Sequence, residues 1–72
     1  MTTKRDGIPG IANYQGHRFE HYRSEIKMKD AKETKNMLVN AWKVGMPKES
    51  AIIRVWEVDG KTWYCVYSRR IK

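Results

Sequence analysis

Two β-rich runs near the end of the chain, Ala51–Val58 and Lys61–Arg69, flank the dipeptide Asp59-Gly60. Asp-Gly is favoured at the centre of a two-residue type I′ turn, where both residues take φ > 0. A turn that tight sets the register, with Val58 opposite Lys61, Trp56 opposite Trp63, Arg54 opposite Cys65 and Ile52 opposite Tyr67. Side chains alternate between the faces of a strand, so the hairpin presents two distinct surfaces. One carries Ala51, Ile53, Val55, Tyr64 and Val66, which suits a core. The other sets Trp56, Trp63 and Tyr67 among Arg54, Lys61 and Arg69.

A second alternating stretch runs from His17 to Met28 and predicts a half-buried strand. It places Tyr22, Ser24, Ile26 and Met28 on one side and His21, Arg23, Glu25 and Lys27 on the other. The period then changes. Asp30, with Glu33 three places on, predicts a capped helix start. Ala31, Thr34, Leu38, Ala41 and Trp42 fall on one helical stripe, so Trp42 is expected in the core. Gly45 fits a helix terminator and Pro47 forbids resumption. Residues 1–16, punctuated by Gly7, Pro9, Gly10 and Gly16, read as an irregular basic arm that starts with Lys4 and Arg5.

The expected architecture is therefore α+β: one β-α-β-β domain over residues 17–72, a three-stranded sheet with a single helix on one face. The strand of 17–28 is expected beside the last strand, with the crossover right-handed. One helix covers one face. The uncovered face would then collect His21, Arg23, Lys27, Arg54, Trp56, Lys61, Trp63, Cys65, Tyr67 and Arg69.

Composition sharpens this picture. Seventy-two residues make one domain at most. A chain so short buries only ~60% of its unfolded surface, which leaves a narrow margin of stability. Fifteen Lys and Arg against eight Asp and Glu give a formal charge of +7, the electrostatic footprint of a nucleic-acid binder. One cysteine excludes an intrachain disulfide. No apolar run is long enough to cross a bilayer, and none near Met1 resembles a secretion signal, so a cytoplasmic location is expected.

Single-stranded nucleic acid is held by cationic grooves with aromatic planes on which bases stack, each stacked base contributing ~1–3 kcal/mol. On that basis Trp56, Trp63 and Tyr67 are the candidate stacking residues. Arg23, Lys27, Arg54, Lys61, Arg69 and Arg70 are the candidate phosphate contacts. The sequence leaves open whether DNA or RNA is bound. Trp, Tyr and Arg are also the residues that dominate protein interfaces. The alternative is thus a small inhibitor or adaptor, of the kind a phage directs at a host protein, docking the same face on an acidic protein surface or on a second copy. A third reading has the arm, through Ile8, Pro9 and Ile11, fold over the tryptophans.

Enzymatic readings are weaker. His17, His21 and Cys65 are too few to hold a metal, and no glycine-rich phosphate loop is present. His21, Glu25, Arg23, Arg54 and Tyr67 have the residue types of an acid–base ribonuclease, without specific spacing. Neither cofactor nor catalytic residue is expected.

Overall fold

The computed structural model describes residues 7–71. The first structural surprise lies in the arm. Ile11–Tyr14 form strand β1, which pairs antiparallel with β2, His17–Glu25. Gln15 and Gly16, at φ 50° and 77°, make the turn between them. Helix α1 spans Met28–Asn40 and continues into a 3₁₀ turn, Ala41–Val44. Strands β3, Glu49–Val58, and β4, Lys61–Arg70, complete a four-stranded sheet in the order β1-β2-β4-β3. The chain is α+β with one helix and an antiparallel sheet, but the order is β-β-α-β-β. The three-stranded expectation missed β1 because Gly10 and Pro9 interrupt the pattern just before a strand of only four residues.

The hairpin at the other end of the sheet forms as its turn dictates. Asp59 and Gly60 sit at φ 52° and 75°, and Trp56 faces Trp63 while Arg54 faces Cys65. The strand of residues 17–25 lies beside β4, as expected. Its register shifts between His21 and Arg23, with the bulge at Tyr22. A bulge inserts one residue, so alternation breaks and the following side chains change face. Arg23 therefore stands opposite Val66 and Glu25 opposite Tyr64, on the helix side, while Ser24 stands opposite Cys65. Simple alternation had put Arg23 and Glu25 with His21.

Helix α1 begins three residues earlier than expected, with Lys27 rather than Asp30 at its N-cap, in extended conformation and with no side-chain cap bond. Asp30 lies in the first turn, where a carboxylate complements the positive end of the helix dipole. Ala31, Thr34 and Leu38 are buried against Ala51 and Val66 as the stripe requires. The Thr34 hydroxyl also donates to Glu25 Oε2 at 3.2 Å, which ties helix to β2. Trp42 departs from the stripe. The chain leaves α1 at Asn40 and tightens to a 3₁₀ turn, whose faster rotation carries the indole outward to 48% exposure. Gly45, at φ 91°, ends the turn as expected.

Two cores result, one on each side of the sheet. The helix seals Ala31, Leu38, Ala51 and Val66. On the opposite side Ile8, Ala12, Phe19, Trp63, Cys65 and Tyr67 form a second cluster, with Ile52, Trp56 and Val58 packed against it. Among the described residues no helix is long and apolar enough to cross a membrane.

Candidate functional site

The face expected to be open is closed by residues 7–14. Gly7 passes Val58, and its φ of 90° favours glycine there. Ile8 is buried. The Tyr67 hydroxyl donates to the Pro9 carbonyl at 2.6 Å, and the His21 N–H donates to the Gly10 carbonyl at 2.8 Å. Trp63 is left 8% exposed and Tyr67 fully buried. Neither ring can present a face to a base while this segment is in place. The physical reason is area: three large aromatic groups and a cysteine on one sheet face offer more apolar surface than a small chain leaves wet.

Burial also sets the chemistry of that face. It pushes the Cys65 thiol upward, against a smaller downward pull from a hydrogen bond to Ser24 Oγ at 3.4 Å. The Tyr67 hydroxyl is likewise raised by burial, which outweighs the lowering effect of the nearby Trp56 indole. The buried Trp56 Nε1 itself falls short of good hydrogen-bond geometry. Ser24 Oγ reaches His21 Nε2 at 2.8 Å, and the His21 ring meets Tyr67 edge-on at 5.5 Å. The sheet separates Arg23 and Glu25, joined by an ion pair of 3.4 Å, from His21, Arg54 and Tyr67. Among the described residues no three His, Cys, Asp or Glu side chains converge as metal ligands.

What stays accessible is the seam between the two sheet edges, β1 and β3. Arg54 occupies its middle. The guanidinium Nη2 donates to the Asn13 carbonyl at 3.2 Å, and its carbon lies 5.5 Å from the centre of the Tyr14 ring. On one side of Arg54 a depression of about 320 Å³ is lined by Tyr14, Lys35 and Ser50–Ile53. On the other, one of about 370 Å³ is lined by Ile11–Asn13 and Trp56. Arg54 lines both, so the two depressions adjoin at its side chain and are taken together below as the groove. Tyr14, 43% exposed and edge-on to Phe19 at 6.4 Å, and the half-buried Trp56 stand at its two ends.

Helix α1 contributes the remaining charge. At ~100° per residue, Lys29, Lys32 and Lys35 descend one flank of the helix toward this groove. Asp30 and Glu33 take the other flank, where they line a separate depression with Arg23, Glu25, Thr34 and Met37. The helix is polarised across its width. Among the described residues no carboxylate forms an ion pair with Arg54 or Lys35, whereas Arg23 is paired with Glu25.

Of the residues singled out from the sequence, the groove contains Arg54 and Trp56. Arg69 stands opposite Ser50, itself a groove residue, and Arg70 stands opposite Glu49. Lys61 is exposed beside the Asp59-Gly60 turn, and Lys27 precedes the helix. Arg23 lies on the acidic flank. Lys4 and Arg5 fall outside the described residues. Tyr14 and Lys35 were missed; the three-residue spacing of Lys29, Lys32 and Lys35 was the available signal for the latter. No family model, curated protein or solved structure significantly matches this chain.

Proposed function

We propose that the protein is a small cytosolic module that binds single-stranded nucleic acid in the groove between β1 and β3. The observation that carries this reading is Arg54, oriented by Asn13 between two concave segments that hold Tyr14, Lys35 and Trp56. Only one of its five N–H donors is engaged by Asn13. Arg and Lys lining a track, with aromatic planes at either end, is the arrangement that holds a phosphate backbone while bases stack. The formal charge of +7 would steer a polyanion toward the molecule, and the lysine flank of α1 supplies direction to that field. Binding here leaves the buried aromatic core intact. Trp63 and Tyr67 then act as the floor that fixes the positions of β3 and β4, and Trp56 and Tyr14 take the contact role.

The test is a fluorescence-anisotropy titration with short single-stranded DNA and RNA oligonucleotides at two salt concentrations. For single strands the slope of log K against log salt is about −0.7 per phosphate neutralised. Contacts from Lys32, Lys35 and Arg54 thus predict a slope near −2, by the same relation. Lys35→Glu should weaken binding and flatten the slope by ~0.7. Arg23→Ala, on the other flank, should leave both unchanged. Absence of binding at low salt, or an unaltered slope in Lys35→Glu, would overturn the proposal.

A further inference from the structure

The segment that closes the aromatic face is lightly anchored for what it covers. Of residues 7–14 only Ile8 and Ala12 are buried, while Gly7, Pro9, Ile11, Asn13 and Tyr14 lie exposed. Beneath the segment Cys65 and Tyr67 are completely buried, and Trp63 nearly so. Residues 7–10 belong to no strand. They are pinned by the Tyr67 hydroxyl on the Pro9 carbonyl, the His21 N–H on the Gly10 carbonyl and the Ile8 side chain in the cluster below.

The remaining strands pair without this segment. Strand β1 stands at the edge of the order β1-β2-β4-β3, so its departure breaks strand pairing only with β2. The registers of β2 with β4 and of β4 with β3 involve no residue before Glu20. The helix-side core of Ala31, Leu38, Ala51 and Val66 lies across the sheet and contains no residue of the segment. Elements with few buried side chains open at lower cost than the whole chain unfolds, and they do so as cooperative units. The Gln15-Gly16 turn, which joins β1 to β2, is the natural pivot.

We propose that residues 7–14 are a gate, which leaves the sheet as one unit while β2, α1, β3 and β4 stay folded. Release uncovers Trp63, Cys65 and Tyr67. It also takes Asn13 and Tyr14 away from Arg54, and so dismantles the groove between β1 and β3. The gate sets how often the groove exists. A ligand held by both walls favours the closed form by the same factor that closure favours the ligand. That regulatory consequence rests on the nucleic-acid reading, whereas the gate itself does not.

Alkylation of Cys65 tests this, because it is the sole thiol of the chain and reacts only when uncovered. The full chain is treated with excess iodoacetamide at mildly alkaline pH and followed by mass spectrometry across a urea series. In low urea the rate should scarcely vary, since release exposes little surface; it should climb steeply only where the chain unfolds globally. Ile8→Ala removes the buried anchor and should hasten labelling in water at least ~10-fold. Tyr67→Phe should hasten it ~5-fold. Leu38→Ala weakens the helix-side core and spares the gate, so the rate in water should change by less than ~2-fold. A rate that tracks global unfolding at every urea concentration would overturn the proposal, and this arm needs no variant that folds. So would a Leu38→Ala effect as large as that of Ile8→Ala. An oligonucleotide at about ten times its Kd should slow labelling ~10-fold. Binding by anisotropy with labelling unslowed would overturn the coupling and spare the nucleic-acid reading. Absent binding would sink that reading, while the urea series and the variants still decide the gate.

Discussion

Tyr67→Phe deletes one oxygen and leaves the ring in place, which makes it a clean probe of how the amino-terminal segment is held to the sheet. The hydroxyl donates to the Pro9 carbonyl at 2.6 Å from a fully buried side chain. A net contribution of about 1 kcal/mol follows for such a bond. In a chain of this size each kcal/mol moves Tm by roughly 4–8 °C. Scanning calorimetry at pH 7 should show a fall of that order. Alkaline pH gives a second reading. Burial raises the hydroxyl above its ordinary value of 10.0, so the unfolded chain ionises first as pH rises. The stability tied to the neutral hydroxyl is complete below that value and is lost as pH climbs through the folded one. Cys65, raised by burial above 9.0, acts in the same direction one pH unit lower. The wild type should therefore lose stability progressively above about pH 9, and Tyr67→Phe should show a shallower decline above pH 10. A variant as stable as the wild type at pH 7, with the same alkaline limb, would refute the claim that Tyr67 is sealed beneath Pro9.

Phe19→Ala should be far more damaging, because Phe19 joins β2 to the cluster around Trp63 and supports the Tyr14 ring. The expected loss of ~3–5 kcal/mol compares with a total of about 4–11 kcal/mol for a chain of this length, so urea should unfold the variant at a much lower midpoint. Gly60→Ala places a Cβ in open space at φ 75°, so its cost is conformational alone, about 1 kcal/mol in the denaturant midpoint; an unchanged midpoint would contradict the turn geometry.

The parts of the fold that were legible in the sequence are those set by local physics. Asp59-Gly60 fixed an entire hairpin register because a two-residue turn admits one pairing. The stripe Ala31, Thr34, Leu38 announced the buried side of α1, and Gly45 its end. Three features escaped. The β1 strand is short, and its turn uses Gln15 at positive φ, a residue that does not advertise the conformation. The Tyr22 bulge reverses the face of Arg23 and Glu25, and nothing in an alternating pattern marks where alternation fails. Trp42 left its stripe because the helix tightened within its last turn. The candidate site was half visible for the same reason. Arg54 and Trp56 were found through the hairpin. Their neighbours Tyr14 and Asn13 required knowing that the first segment crosses the sheet and ends beside β3.

The most direct measurement is a ¹⁵N-resolved NMR titration of the labelled protein with a short single-stranded oligonucleotide. The largest shifts should fall on the amides of Asn13, Tyr14 and Lys35, the Arg54 Nε signal and the Trp56 indole. The Trp63 indole and the flank of Arg23, Glu33 and Met37 should hold still. Shifts centred on Trp63 or on the Met37 flank, or a spectrum that does not move, would contradict it.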